Sequence, residues 1–133
     1  MTDADVLRDL RLVVVDDHEF AREAVVAMLD AEPGVQIVGQ AGSVGQALTA
    51  IEHLLPDVVV LDLKLPDGSG REVVEHFAVS HPEVRCIIFT SSVEHAETEA
   101  LLAAGAEAVV LKSLRGPDLM DALRRVKLQN SES

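Results

Sequence analysis

Aromatic residues are nearly missing from this chain. Phe20, Phe77 and Phe89 are the whole complement, 2% of the residues, with no tryptophan or tyrosine. Hydrophobic residues still make up 48%, so any core has to be aliphatic. Cysteine occurs once, at Cys86, which excludes an internal disulfide and fits a reduced, cytoplasmic setting. Positive charge is scarce: 11 Lys and Arg stand against 23 Asp and Glu, a formal net charge of -12. Such a surface repels phosphate backbones and anionic headgroups, so the chain is not expected to bind nucleic acid or a membrane directly. No apolar run reaches the roughly 20 residues of a membrane span, and the N-terminus has no secretory pattern. Repeats and low-complexity segments are missing as well. The 133 residues suit one domain.

What is present is a series of short aliphatic runs, each stopping at a polar residue. Val58 to Leu61 reads as a strand buried on both faces, and it stops at the carboxylate of Asp62. Leu10 to Val15 predicts a first strand ending at Asp16-Asp17. His18 to Asp30 has helical spacing, and Pro33-Gly34 ends it. Val35 to Gln40 is a second strand. Ser43 to Gln46 has the spacing of a capping box and opens a helix to about Leu54. After Pro56 comes the strand Val58 to Asp62. Ser69 to Glu72 repeats the capping-box pattern for a helix to about Ser80, which His81-Pro82 breaks. Val84 to Phe89 is a fourth strand, ending in Thr90. Ser91 with Glu94 reads as the cap of the next helix, closed by Gly105. Glu107 to Leu111 is the fifth strand, followed by Lys112. Gly116-Pro117 reads as an N-cap with proline in the first helical position. The last helix runs to about Leu128. Residues 1–128 form one domain, and 129–133 are a polar tail or the start of a linker.

Five strands alternating with five helices predict an α/β fold, a doubly wound parallel sheet of the (βα)5 flavodoxin-like kind with order 2-1-3-4-5. The chain reverses direction between strands 1 and 3, which carry Asp16, Asp17 and Asp62. Thr90 and Lys112 follow strands 4 and 5. Ligands of such sheets bind at the carboxyl ends of the strands, at that reversal. Carboxylates brought together repel, and Mg²⁺, which takes oxygen ligands and keeps waters and phosphate oxygens, resolves the repulsion. The lysine ammonium and threonine hydroxyl complete a set suited to a phosphoryl group in transfer.

From about Leu10 to Leu128 the chain resembles the receiver domain of two-component response regulators. The resemblance rests on Asp16-Asp17, Asp62, Pro66 and Gly70, Thr90 and Lys112, each after its proper strand. Val-Asp-Asp-His near the start and Leu-Pro-Asp-Gly-Ser-Gly after Asp62 look most like the NarL/LuxR type. The resemblance implies that Asp62 is the phosphoacceptor for a sensor histidine kinase. It implies Mg²⁺ on Asp17, Asp62 and the Lys64 backbone carbonyl, with Asp16 acting through water. Thr90 and Lys112 would hold the phosphoryl oxygens. The activity is then that of a signalling domain catalysing only its own phosphorylation and dephosphorylation. The expected output is transcription through a DNA-binding domain outside these residues; the alternative is a stand-alone receiver acting by protein contacts or phosphorelay.

Two positions depart from the family's pattern. Val109 stands where an aromatic switch residue is common, and Ser113 follows Lys112 where proline is common, so a trans bond is expected there. The resemblance implies that the side chains two residues after the acceptor and two after the switch hydroxyl flank the path of hydrolytic water; here these are Lys64 and Ser92, neither an acid nor an amide. Slow loss of the phosphoryl group is expected if Lys64 shields it; otherwise Lys64 contributes only its backbone. Acidic Glu94, Glu97 and Glu99 and basic Arg124, Arg125 and Lys127 fit either a homodimer formed on phosphorylation through helix 4, strand 5 and helix 5, or two solvated faces. His18 is set aside as a metal ligand, since magnesium favours oxygen. A haloacid-dehalogenase-type phosphatase needs a second aspartate at position 64, which is lysine. A flavodoxin needs a hydroxyl-rich loop after strand 1, where Asp-Asp-His-Glu-Phe stands.

Overall fold

The computed structural model describes residues 9–112 and 117–132. Its elements are β1 (Leu10–Val15), α1 (Glu19–Asp30), β2 (Val35–Ala41), α2 (Val44–Leu54), β3 (Val58–Leu61), β4 (Lys64–Leu65), β5 (Gly68–Ser69), α3 (Gly70–Ser80), β6 (Arg85–Thr90), α4 (His95–Ala104), β7 (Ala108–Leu111) and α5 (Pro117–Glu132). Five strands form one sheet in the order β2-β1-β3-β6-β7, and every pairing in it is parallel. This is the expected 2-1-3-4-5 order once the small hairpin β4-β5 takes two numbers.

Strand side chains alternate between faces, and the aliphatic runs feed two cores. On one face Val13, Val15, Val59, Leu61 and Ile88 pack with Ile51 of α2, Val73 and Phe77 of α3 and Leu101 of α4. On the other, Leu12, Val14, Val58, Val60 and Ile87 pack with Val25 and Leu29 of α1 and Leu119, Leu123 and Val126 of α5. Each of these aliphatic side chains contributes about 1.5–3 kcal/mol by leaving water. Phe77 is the one fully buried aromatic among the described residues.

The element bounds shift by a residue or so from expectation, and three differences have physical causes. Ser91 does not cap α4: its N-cap is Glu94, which makes no side-chain cap bond. The last helix continues past Leu128 to Glu132, because Lys127 to Asn130 hold no helix breaker. The loop after Asp62 folds into the antiparallel hairpin β4-β5, with Lys64 opposite Ser69 and Leu65 opposite Gly68. Ser113 and Gly116, and with them the expected bond geometry and cap, lie outside the described residues.

The hairpin is fixed at both ends. Ser69 accepts from the Arg71 N–H at 3.1 Å while Glu72 accepts from the Ser69 N–H at 3.4 Å, which is the expected capping box of α3. At the tip, Asp67 accepts from the N–H groups of Val44 (2.7 Å) and Gly45 (3.0 Å) at the start of α2. These two donors hold the Asp67 carboxyl below the ordinary carboxylate range. Ser43 accepts from Gln46 N–H at 3.1 Å, so the same helix end is closed from two parts of the chain.

Candidate functional site

Each polar residue that ends a strand is held by one further backbone bond beyond its strand. Asp16 N–H donates to Ala41 at 3.0 Å, Asp62 N–H to Val15 at 2.9 Å, and Lys112 N–H to Thr90 at 2.7 Å. The ladder therefore carries these residues to the carboxyl edge of the sheet and fixes their spacing there. Residues 46 to 96 positions apart in sequence meet as a result.

Lys112 Nζ bridges two carboxylates, 2.6 Å from Asp16 Oδ2 and 3.0 Å from Asp62 Oδ2. The Asp16 side chain is 3% exposed and that of Asp62 12%, so this pair of ion bonds is largely shielded from solvent. Burial lowers the affinity of Lys112 for its proton. The hydrogen bonds and charges of Asp16 and Asp62 outweigh that burial and raise it above its ordinary 10.5. The second oxygen of Asp62 accepts from Leu63 N–H at 2.7 Å. The second oxygen of Asp16 accepts from His18 N–H at 3.0 Å. Asp17 stands at the mouth, with the His18 ring nitrogen Nδ1 3.0 Å from its Oδ1.

Thr90 is buried beside this cluster, and its hydroxyl donates to the Ser92 carbonyl at 3.4 Å. Lys64 and Ser92 line one cleft of about 420 Å³ together with Val93, Glu94 and Glu97. Lys64 and Ser92 thus share one cleft, whose lining does not include Asp62. Val109 sits opposite Ile88 in β7 and packs against the first core.

Three further residues serve the site; Arg22 and Phe89 have no signal in the sequence, while Gly70 is marked by the family resemblance. Arg22 donates to the Asp16 carbonyl at 2.7 Å and to Gln40 at 3.2 Å, holding the acidic loop from α1. The Phe89 ring lies 5.8 Å from Lys112 Nζ, close enough for a cation–π contribution. Gly70 starts α3 so close to the strand end that a Cβ there would stand 2.4 Å from the Asp62 carbonyl oxygen and 3.3 Å from Leu61. Backbone cannot yield cheaply at 2.4 Å. Gly70→Ala is expected to lower stability by about 1–3 kcal/mol, read as a shifted urea midpoint at unchanged slope.

A five-stranded parallel sheet with helices on both faces, and a lysine clamped between two aspartates at its reversal point, defines a CheY-like flavodoxin fold with an acidic pocket. The family model described as response regulator receiver domain matches residues 12–124. The chain belongs to that family.

Its relatives are regulators. The DNA-binding transcriptional activator DevR/DosR of Mycobacterium tuberculosis is 40% identical over 118 residues, which cover 88% of this chain and 54% of that protein. Response regulator GacA of Pseudomonas viridiflava is 35% identical over 117 residues, 88% of this chain and 55% of that one. The chain thus spans about half the length of the curated relatives it matches. Among solved structures, the signal receiver domain of the putative response regulator NarL of M. tuberculosis superposes with a TM-score of 0.84 at 30% identity, covering 91% of this chain and 98% of that one. A LuxR-family two-component response regulator of Aurantimonas reaches 0.86 at 30% identity, covering 91% and 86%.

Proposed function

We propose that Asp62 accepts a phosphoryl group from the phosphohistidine of a sensor histidine kinase. A carboxylate oxygen of Asp62 bonds to phosphorus, the phosphorus–nitrogen bond of the donor breaks, and its electron pair stays on the imidazole. The product is an acyl phosphate. The observation that carries this reading is the Lys112 bridge: one ammonium stands within 3.0 Å of the acceptor carboxylate and 2.6 Å of its neighbour. That ammonium is placed to follow the phosphoryl oxygens once Asp62 is esterified, with the Thr90 hydroxyl as second donor.

The donor set fits Mg²⁺, since Asp16 and Asp17 offer hard carboxylate oxygens close enough together to share an ion. Asp17, Asp62 and the Lys64 carbonyl would hold the ion directly and Asp16 through water. When bound, the ion offsets the negative charge that gathers on the phosphoryl oxygens. The test is a small phosphodonor: one acid-labile phosphoryl group per chain, formed with Mg²⁺ and not formed in chelator. Uptake at undiminished rate in chelator would overturn the metal assignment.

The output proposed is transcription, through a DNA-binding domain encoded outside the 133 residues, as the DNA-binding relative supports. The nucleotide sequence downstream of the Ser133 codon tests it: an open frame encoding a helix-turn-helix supports it, and a stop codon overturns it. Self-association on phosphorylation is proposed through α4, β7 and α5. Arg124 is already engaged within the chain by Asp121 and Glu32, so Arg125 is the better cationic candidate opposite Glu94, Glu97 and Glu99. Sedimentation with and without a phosphoryl mimic tests this, and an unchanged monomer counts against it.

Lys64 sets the lifetime of the phosphoryl group in this reading. Its ammonium can only donate, so it cannot orient a hydrolytic water as a base, and leaning over the acyl phosphate it blocks in-line approach. Lys64→Ala and Lys64→Asn are both expected to speed decay of the isolated phosphoprotein. Equal decay rates in all three proteins would leave Lys64 only its backbone part.

A further inference from the structure

The hairpin that follows Asp62 is too small to hold itself in place. Its strands β4 and β5 have two residues each, with Lys64 opposite Ser69 and Leu65 opposite Gly68. A lone two-stranded hairpin is marginally stable at best in water. The base of this one is fastened at the acceptor. Leu63 N–H donates to Asp62 Oδ1 at 2.7 Å, and the Leu63 carbonyl accepts from Gly70 N–H at 2.8 Å. Leu63 and Leu65 are buried in the first core. The tip is fastened elsewhere, through Asp67 to α2.

That bond serves the hairpin more than the helix. Ser43 is the N-cap of α2 and accepts from Gln46 N–H at 3.1 Å, so the helix has a cap of its own. Asp67 takes the two amides between them, Oδ1 from Val44 at 2.7 Å and Oδ2 from Gly45 at 3.0 Å. With both carboxylate oxygens engaged, the orientation of the hairpin tip is fixed as well as its distance from α2. The anchor is firm, since Val44, Ala47 and Ile51 of α2 are buried in the first core.

We propose that Asp67 is a positioning residue for the cation site: tied to α2, it holds the loop that starts at Asp62 so that the Lys64 backbone carbonyl is kept in place for the ion. A backbone carbonyl has no rotamer of its own. The Asp17 side chain can turn to meet an ion, but the Lys64 oxygen goes only where the loop takes it, and the loop is set by its bonds at base and tip. The inference rests on the proposed Mg²⁺ reading and adds the group outside the site that maintains it.

Mg²⁺ calorimetry on the full chain, paired with urea unfolding, tests this. Asp67→Ala is expected to weaken Mg²⁺ binding about tenfold, the lower end of what outer-sphere partners of a metal ligand are worth. Asp67→Asn keeps an oxygen acceptor for one of the two amides and should recover part of that loss. The two variants carry the same charge, so the difference between them reads the tether. Ser43→Ala removes the helix's own cap and leaves the hairpin tied; it should lower the urea midpoint yet bind Mg²⁺ as the wild type does. In the wild type, Mg²⁺ should move the carbon resonance of the Lys64 carbonyl, and Asp67→Ala should diminish that movement at saturating Mg²⁺. Wild-type affinity in Asp67→Ala, equal affinities in the Ala and Asn variants, or an equal loss in Ser43→Ala overturns the positioning role and leaves the cation site standing. So does Mg²⁺ binding that leaves the Lys64 carbonyl resonance unmoved. Asp17→Asn separates the two readings: it should weaken Mg²⁺ binding whatever Asp67 does, and unchanged binding in that variant overturns the cation site and the proposal with it.

Discussion

Asp62→Asn is expected to abolish acid-labile phosphoryl uptake, from a small phosphodonor and from a kinase alike. An amide oxygen at this position is a poor nucleophile, and no other described carboxylate occupies its place. Asp16 is clamped by Lys112 and by the His18 N–H, and Asp17 faces the mouth of the pocket. The substitution is nearly isosteric, so the fold should persist. The Leu63 N–H keeps an oxygen acceptor in its present rotamer. Loss of the carboxylate also removes one of two negative charges beside a single ammonium, so thermal stability should hold or rise. Mass spectrometry of the intact chain gives the stoichiometry, and hydroxylamine lability identifies an acyl phosphate. Label retained at wild-type level in Asp62→Asn would place the acceptor elsewhere.

Lys112→Met is expected to be the most destabilising substitution at the site. It leaves two shielded carboxylates facing each other without a cation. Breaking a fully buried pair costs about 3–5 kcal/mol; because the Lys112 side chain keeps 22% exposure, about 1–3 kcal/mol is expected at neutral pH. The pH dependence has a definite sign. In the wild type the proton affinity of Lys112 is raised by folding, so its contribution is complete below the ordinary value of 10.5 and is lost as pH rises through the higher folded value. The variant lacks this alkaline limb. Mg²⁺ should narrow the deficit, by binding the folded state. Urea unfolding across pH, with and without Mg²⁺, measures all of this. A deficit that does not change with pH or Mg²⁺ would mean that Lys112 acts by packing alone.

Much of this site was legible because strands end where aliphatic runs meet charge. Asp16, Asp62, Thr90 and Lys112 each follow such a run, and the alternation of strands and helices orders them along one sheet edge. The parallel sheet was legible for the same reason, since strands covered on both faces carry no polar alternation. What escaped depends on partners far along the chain. Asp67 bonds to residues 22 and 23 positions earlier, and nothing near it in sequence marks that. Arg22 and Phe89 look like ordinary surface and strand residues until the fold brings them to Asp16 and Lys112. Strands of two residues, such as β4 and β5, are too short to show any period. Ser91 misled because its spacing to Glu94 satisfies a capping pattern that the backbone does not use.

The bond from Asp67 to α2 also bears on how the chain folds. Two amides at the start of α2 have their acceptor in the hairpin that follows the phosphoacceptor strand. A chain ended at Leu61 would hold all of β1, β2, β3 and α2, yet would leave those amides to water. Detachment of the loop after Asp62 therefore leaves two amides of the first turn of α2 to water, with the Ser43 cap still in place. Amide hydrogen exchange at Val44 and Gly45 thus reports the state of a loop that neither residue belongs to.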